Sequence, residues 1–221
     1  MTNLSIHDVL EQIFGYKSFR FDQEEIINCV LNKEDVLAIM PTGGGKSLCY
    51  QVPALTSEGL AIIISPLIAL MDDQVLALKQ LGVKAACIHS HIDYEEKLRI
   101  DDMIRNNELK LLYVSPEKVR SGRFLEYLKT KDISLFAVDE AHCVSVWGND
   151  FRPDYVELKA LKVNFPDVPL IALTATADTV TQDDIITQLG IVDARRFISS
   201  FERKNLSSIC KPGQELSLIH I

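Results

Sequence analysis

Met40-Pro-Thr-Gly-Gly-Gly-Lys-Ser47 is the most informative segment of this 221-residue chain. It follows the apolar run Asp35–Ile39 and precedes a segment with helical character. Consecutive glycines let a backbone turn tightly and approach phosphate oxygens with no side chain in the way. A Gly-rich turn between a strand and a helix wraps its N–H groups around the phosphates of a nucleoside triphosphate. We therefore expect a phosphate-binding loop made of Thr42, Gly43, Gly44, Gly45, Lys46 and Ser47.

Two side chains of this loop carry chemistry. Lys46 is expected to place its ammonium between the β- and γ-phosphates as a catalytic residue, and the Ser47 hydroxyl is suited to hold Mg²⁺. The helix that Lys46 begins would point its positive end at the anion. The strict pattern has Gly where this chain has Met40, a departure familiar among helicases and unusual among kinases and small GTPases. The alternative is a chance Gly-rich turn, which the flanking strand and helix disfavour.

Asp139-Glu-Ala-His142 is the second motif, directly after the apolar run Ile133–Val138. In an open α/β sheet, ligands bind at the carboxyl ends of the strands. We expect Asp139 to hold Mg²⁺ through a coordinated water, Glu140 to polarise the attacking water, and His142 to relay the state of the γ-phosphate. A lone Asp-Glu pair is also typical of a solvated turn, but the upstream loop makes that interpretation weak.

Short apolar runs alternate with helical periodicity along the rest of the chain, which predicts a doubly wound α/β fold with a mostly parallel sheet and helices on both faces. Several predicted helices open with an Asp that can cap them. The predicted strands are Asp35–Ile39, Leu60–Ser65, Ala85–Ile88, Lys110–Val114, Ile133–Val138, Pro169–Thr174 and Arg196–Ser199. The predicted helices are Ile6–Phe14, Asp22–Asn32, Leu67–Leu81, Asp93–Arg105, Asp154–Phe165 and Asp178–Leu189.

An aromatic segment follows the acidic motif. Trp147, Phe151 and Arg152 lie among Gly148, Asn149, Asp150 and Pro153, a composition typical of a loop. Exposed aromatic rings beside an arginine suit base stacking and phosphate contact on a single strand. Isolated aromatic residues are also common in cores, but the loop composition favours the functional interpretation.

Further polar residues end predicted strands at the same sheet edge. Ser65-Pro66 and Ser115-Pro116 each follow a strand and suit either a nucleic-acid phosphate contact or plain helix capping, and the sequence leaves both open. Thr174 and Thr176 end another strand, where they are placed to bond the acidic motif and transmit its state.

Composition adds limits. The chain is 47% hydrophobic and 24% charged, which is ordinary for a globular protein, and its net charge of −8 argues weakly against nucleic acid. Its five cysteines form no Cys-x-x-Cys pair, so neither zinc nor a redox dithiol is indicated, and reduced thiols in the cytoplasm are expected. No signal peptide or membrane-length apolar run is present in the sequence.

These motifs, in this order, resemble the first motor domain of RecQ-family DNA helicases, which has a RecA-like fold, from about Phe14 to Asn205. The most specific part is Phe14-Gly-Tyr-Lys-Ser-Phe-Arg-Phe-Asp-Gln23, which is similar to the adenine-recognition motif of the family. The resemblance implies that Tyr16 stacks on adenine, Arg20 supports the nucleotide and Gln23 bonds the base edge. A Gln amide fits that role because it offers both a donor and an acceptor.

The resemblance implies an ATP- and Mg²⁺-dependent helicase that moves 3′ to 5′ on single-stranded and forked DNA, in repair or recombination. It also implies a monomer in the cytoplasm, associated with the nucleoid in a bacterium. The second RecA-like domain of the family, with its arginine finger, and the zinc-binding and winged-helix regions are not found in this sequence. We therefore expect the chain alone to bind ATP weakly and to hydrolyse it little.

Two departures from the family pattern are visible. Asn149 replaces the usual His beside the aromatic residues. An amide can form hydrogen bonds but cannot carry charge, so the way in which this segment couples DNA contact to ATP hydrolysis does not follow from the family pattern. Phe21-Asp22 replaces the common Pro-Gly, which is expected to shift the loop and leave Gln23 in place.

We divide the chain into N-terminal helices with the adenine motif (1–33), a RecA-like ATP-binding domain (34–206) and a truncated end (207–221). Residues 216–221 have the sequence of a cloning or assembly scar, although a natural frayed tail is the alternative. Three competing functions are an RNA-acting DEAH-type helicase, a P-loop kinase or GTPase, and a non-catalytic nucleotide-binding module. The chain has no Asn-Lys-x-Asp guanine motif.

Overall fold

A computed structural model describes residues 4–147 and 152–199 of the chain. The centre of this part is a seven-stranded sheet with the strand order β3-β4-β2-β5-β6-β1-β7, and every strand pair is parallel. The all-parallel sheet confirms the predicted α/β class. The strands are β1 (Val36–Ile39), β2 (Leu60–Ile64), β3 (Ala85–Ile88), β4 (Leu111–Val114), β5 (Ile133–Val138), β6 (Leu170–Thr174) and β7 (Arg195–Ile198).

Helices connect the strands, and five of them match predicted helices to within two residues at each end. The helices are α1 (Ile6–Gln12), α2 (Gln23–Leu31), α3 (Leu48–Thr56), α4 (Ile68–Gln80), α5 (Tyr94–Arg105), α6 (Pro116–Arg120), α7 (Gly122–Leu128), α8 (Pro153–Val156), α9 (Lys159–Asn164) and α10 (Thr179–Leu189). A short 3₁₀ helix, Ala141–Val144, follows β5.

Both faces of the sheet are buried. Along β1, Leu37 and Ile39 belong to one buried cluster, whereas Val36 and Ala38 belong to the other. Successive side chains of a strand point to opposite faces, so a strand that is apolar throughout feeds both cores. This is why the central strands are continuous apolar runs rather than alternating ones.

The two N-terminal helices pack against α3, the helix that follows the phosphate loop. Val9, Ile27 and Val52 form a small buried cluster between α1, α2 and α3. This packing places the segment between α1 and α2 beside the phosphate loop.

One predicted helix, Asp154–Phe165, is wrong as a single element, because the structure divides it into α8 and α9. Hydrogen bonds there run from residue i to i+3, as from Leu158 N to Tyr155 O (3.1 Å) and from Leu161 N to Leu158 O (2.9 Å). The tighter turn keeps Tyr155, Leu158 and Leu161, spaced by three, on one buried face.

The structure also shows which of the aspartates predicted to cap helices do so. Asp93 accepts a hydrogen bond from Glu96 N (2.7 Å) and Asp178 from Thr181 N (2.8 Å), so both cap their helices as expected. The cap expected of Asp154 is wrong, because this residue lies inside α8 and pairs with Arg120 at 3.1 Å.

Residues 200–221 lie outside the described part, and with them the proposed end of the ATP-binding domain and the suspected scar. Within the residues that the structure describes, no helix is long and apolar enough to cross a membrane.

Candidate active site

The phosphate loop lies between β1 and α3 at the carboxyl edge of the sheet. Gly43 and Gly45 have φ angles of +80° and +77°, values that side chains rarely adopt. A Cβ atom on Gly44 would lie 2.9 Å from Pro41 O, so this position is also too tight for a side chain. The conformation of the loop thus requires the three glycines that the sequence supplies. Thr42 is exposed at its start.

Lys46 and Ser47 end the loop. The Lys46 ammonium donates to Met40 O at 3.3 Å, which folds the side chain back over the loop. Ser47 occupies the N-cap position of α3, but its hydroxyl makes no capping bond. The helix begins at Leu48 rather than at the predicted Lys46, a difference within the ordinary uncertainty of helix ends.

Gln23 is bound to the phosphate loop. Its side chain is only 2% exposed; the amide NH₂ donates to Gly44 O (3.2 Å) and Gly45 O (3.0 Å), and the amide oxygen accepts from Arg20 N (2.8 Å). A Cβ atom on Gly45 would lie 2.4 Å from Gln23 Nε2. The residue predicted to recognise adenine is therefore also the residue that packs against the phosphate loop.

The adenine motif and the phosphate loop share one cleft of about 80 Å³. Tyr16 is 48% exposed beside it, as a ring that stacks on a ligand must be. The structure thus brings together three predicted cofactor-binding side chains and the loop glycines. The lining residues are Tyr16, Ser18, Arg20, Gln23, Gly43, Gly44, Gly45 and Leu48.

The acidic motif lies at the carboxyl end of β5, between β2 and β6 in the sheet. Asp139 N donates to Ile64 O at 2.8 Å, which continues the β2–β5 pairing into the motif. Glu140 adopts a left-handed conformation (φ 49°), and its N–H donates to Asp139 Oδ1 at 3.0 Å. A strained non-glycine residue is typical of functional sites, where the surrounding structure holds it in place.

Burial and the neighbouring charge of Glu140 raise the pKa of Asp139 from 3.8 to about 6. The charges of Lys46 and His142 oppose that rise in the pKa of Asp139. A carboxylate that lacks a sufficient counter-charge is suited to a hard divalent cation.

His142 connects the acidic motif to β6. Its Nδ1 lies 2.9 Å from Thr174 Oγ1 and 3.3 Å from Glu140 Oε2. The Thr174 hydroxyl donates to Thr176 O (3.2 Å), so its oxygen accepts from the imidazole. Hydrogen bonds with Cys143 and Glu140 raise the pKa of His142 to about 10, and the bond from His142 lowers the pKa of Glu140. The ring is therefore held as a cation beside an ionised Glu140.

Thr174 also contacts the phosphate loop, because its carbonyl accepts from Met40 N at 3.1 Å. One residue thus joins the two motifs by direct hydrogen bonds. Thr176 takes part through its backbone, with N 3.4 Å from Thr174 Oγ1. Both threonines were predicted to lie at this edge. In the structure Thr174 contacts His142 through its hydroxyl, whereas Thr176 contacts Thr174 through its backbone.

Trp147 is 70% exposed, so the core alternative is wrong for this residue. Arg152 is partly buried, and its guanidinium donates to Pro66 O at 3.4 Å, which joins the aromatic segment to the turn after β2. Phe151 and Asn149 lie outside the described residues.

Ser65 lies at the end of β2 and is buried, and its hydroxyl is among the few buried polar groups in the described part that have no hydrogen-bond partner. The N-cap of α4 is Leu67, so Ser65 does not cap that helix. Ser115 occupies the N-cap position of α6 without a side-chain capping bond. The capping interpretation is therefore wrong for Ser65. Ser115 holds the N-cap position, but its side chain forms no capping hydrogen bond.

A buried polar network behind the loop was not predicted. Gln51 of α3 donates to Gln74 of α4 (3.0 Å) and to the Tyr113 hydroxyl of β4 (3.2 Å). Tyr155, likewise unpredicted, donates its hydroxyl to Asp139 O at 3.2 Å. A Gln within the apolar run after the loop was the available sequence signal, since buried polar groups need partners.

Comparisons with known proteins bear on this geometry. The family model "DEAD/DEAH box helicase" matches residues 20–185. The chain is 49% identical to an ATP-dependent DNA helicase RecQ of Haemophilus influenzae, over 95% of this chain and 34% of that protein. It is 44% identical to a probable ATP-dependent DNA helicase RecS of Bacillus subtilis, over 91% of this chain and 40% of that protein.

Solved structures support the fold. The helicase domain of Pyrococcus furiosus Hef gives a TM-score of 0.63 at 21% identity, covering 84% of this chain and 39% of the other. The DUF1998 helicase MrfA bound to DNA and AMPPNP gives 0.69 at 17% identity, covering 90% of this chain and 30% of the other.

The matched family model spans most of the fold, including the acidic motif, and the two curated relatives are named DNA helicases RecQ and RecS, which confirms the resemblance stated from the sequence. The chain belongs to the DEAD/DEAH box helicase family, as a motor domain of the RecQ type.

Proposed function

We propose that the chain is the ATP-binding motor domain of a DNA helicase that moves 3′ to 5′ and unwinds duplexes in repair or recombination. The observation that carries the proposal is the position of Thr174. Its carbonyl binds the start of the phosphate loop and its hydroxyl binds His142 of the acidic motif. A group that contacts both motifs suits an element that senses the nucleotide and passes its state onward.

ATP is the substrate that fits the site. The loop glycines would surround its phosphates, Lys46 would neutralise the β- and γ-phosphates, and Glu140 would position the attacking water. Ser47 and Asp139 would hold Mg²⁺. The Ser47 hydroxyl makes no capping bond to α3, and the pKa of Asp139 is raised, and both observations fit this role. The ion would neutralise charge that develops on the phosphates.

Tyr16, Arg20 and Gln23 would select adenine. To use both sides of its amide on a base edge, Gln23 must release bonds to Gly44, Gly45 and Arg20. Adenine recognition and the conformation of the phosphate loop would then depend on the same side chain.

DNA is the proposed partner, as a single strand and at forks. Trp147 is exposed and is the proposed stacking residue, and Phe151 belongs to the same segment. Ser65, whose hydroxyl has no hydrogen-bond partner, follows β2, and Arg152 donates to the carbonyl of the next residue, Pro66. The relatives are named DNA helicases, and the chain spans 34% of the first of them. We assign the whole enzyme to the cytoplasm, as a monomer.

Turnover in the whole enzyme would use an arginine from a second motor domain, a contribution of ~10³–10⁵ in related systems.

Trp147 is the only tryptophan of the chain, so its fluorescence reports on the DNA contact directly. Single-stranded DNA should quench the emission in a salt-dependent manner. Trp147→Phe, which lacks this reporter, should weaken binding of dye-labelled single-stranded DNA measured by fluorescence anisotropy. Equal quenching by RNA of the same sequence would favour the RNA-acting alternative. No quenching by either strand would oppose a nucleic-acid contact at this segment.

A further inference from the structure

A cluster of metal-ligating side chains lies away from the nucleotide site, where β3 ends. Cys87 is in β3 and His89 follows two residues later, so alternation along an extended chain places both on one face. Asp72, from α4, lies against the same face. Among the residues that the structure describes, these three form the one group of His, Cys and acidic side chains close enough together to share an ion.

The ligand atoms are already close to one another. Cys87 Sγ lies 3.0 Å and His89 Nε2 lies 3.2 Å from Asp72 Oδ1, and all three ligand atoms fall within 4.8 Å of one another. Bond lengths of about 2.3 Å for Zn–S and about 2.0–2.2 Å for Zn–N and Zn–O correspond to ligand separations of roughly 3.3–3.7 Å in a tetrahedron. The two distances to Asp72 Oδ1 are slightly shorter than this range and all three atoms lie within 4.8 Å of one another, so side-chain movements alone would receive the ion.

The ligand types select the metal. Thiolate and imidazole are soft or borderline ligands that favour zinc, whereas Mg²⁺ and Ca²⁺ prefer oxygen. A thiolate and a carboxylate together balance the charge of a divalent ion. The imidazole of His89 is largely buried and the Asp72 side chain is half exposed, which leaves a path for entry.

We propose that Asp72, Cys87 and His89 form a zinc site that joins α4 to the end of β3, with water as the fourth ligand. This inference does not depend on the proposed helicase function. The sequence has no Cys-x-x-Cys pair that would indicate this zinc site, and the family pattern does not include it. Its ligands are Cys87 and His89, two residues apart, together with Asp72, which is distant in sequence.

Binding requires two proton movements. Without metal, the Cys87 thiol and the His89 Nε2–H both donate to Asp72, and His89 Nδ1 accepts from His91 N at 3.2 Å. When Zn²⁺ binds, the thiol proton leaves to solvent and the imidazole proton moves from Nε2 to Nδ1. The turn at His91 then gives up one exposed hydrogen bond, which water can replace.

Co²⁺ is the probe for this site, because it reports thiolate ligation by a charge-transfer absorption. The reduced chain, stripped of metal and kept in excess Mg²⁺ to occupy carboxylate sites, should bind one equivalent of Co²⁺ with such a band. Zn²⁺ should displace it. Cys87→Ser should abolish the band, and Asp72→Asn and His89→Asn should weaken binding by about tenfold or more.

Two controls make the result specific. Cys143→Ser removes the other thiol that lies near an imidazole, His142 at 3.7 Å, and should retain the band. His7→Ala, an exposed histidine of α1, should also retain it. Absence of a thiolate band in the wild-type chain, or its survival in Cys87→Ser, would overturn the proposal. The exposed Asp72→Asn variant keeps the test valid if Cys87→Ser does not fold.

Discussion

Gln23 occupies the space that a side chain at position 45 would need, so the two residues restrict each other. The amide donates to the carbonyls of Gly44 and Gly45, and Gly45 holds a φ of +77°. Two separate penalties therefore oppose a Gly45→Ala change, the backbone conformation and the contact with Gln23 Nε2 at 2.4 Å.

A double-mutant cycle separates these penalties. We expect Gly45→Ala to destabilise the chain by more than about 1 kcal/mol, from the incompatible φ alone. In a Gln23→Ala background the contact is gone, so the same change should cost less, with a coupling of about 0.5–3 kcal/mol. Urea denaturation of the four proteins measures it, and strict additivity would show that Gln23 does not constrain the loop.

Phe21 is a second strained position. It has a φ of 51° and is 60% exposed, so its side chain packs little while its backbone is unfavourable. Phe21→Gly should relieve about 1–2 kcal/mol of left-handed strain and lose about 0.5–1 kcal/mol to chain entropy. A small net rise in the urea midpoint is expected, whereas Phe21→Ala, which keeps a Cβ atom, should give none. Equal effects of the two changes would contradict the strain argument.

Single residues were predictable where a motif fixes them. Lys46, Asp139 and His142 were identified from their spacing and lie where the sheet topology requires. The bonds of Gln23 to the phosphate loop were not predictable, because they depend on how α2 packs against α3. The hydroxyl bond of Thr174 was expected only as a general possibility, and the structure assigns it to His142.

Helix caps show what the element scale adds. Asp154 and Asp178 look alike in sequence, since each stands before an apolar-periodic segment. Only Asp178 accepts a hydrogen bond from a first-turn N–H, whereas Asp154 lies within α8 and faces Arg120. Asp154 is the second residue of α8, and Arg152 occupies the N-cap position.

We expect Asp178→Ala to lower the free energy of unfolding by about 1 kcal/mol, the usual loss for an N-cap. Asp154→Ala is the matched control and should cost less, about 0–1 kcal/mol, because it removes only a partly exposed ion pair. Chemical denaturation monitored by circular dichroism compares them. A larger loss for Asp154→Ala would contradict the assignment of the caps.

Short helices were less predictable than strands. Helices α6 and α7 were not predicted from the sequence, because the stretch from Pro116 to Leu128 is short and is interrupted by Ser121 and Gly122. The seven strands were predicted within one residue at each end, because apolar runs in a buried parallel sheet leave little choice.

At the scale of the whole molecule, the sheet order brings separate motifs to one edge. β1, β6, β5 and β2 are adjacent in the sheet, so the residues that follow them meet although the chain separates them. The phosphate loop, Thr174, the acidic motif and Ser65 follow those four strands in turn. The α/β class and the edge were predictable from the motifs, whereas the strand order came only from the structure.

The central claim is that this edge binds ATP through the phosphate loop and selects adenine beside it. Calorimetric titration of the chain with ATP and Mg²⁺, with Lys46→Ala and the surface control Lys33→Ala, tests it most directly. We expect saturable ATP binding that is at least about tenfold weaker in Lys46→Ala and unchanged in Lys33→Ala, with poor competition by GTP. Equal binding by Lys46→Ala, or equal competition by GTP, would contradict it.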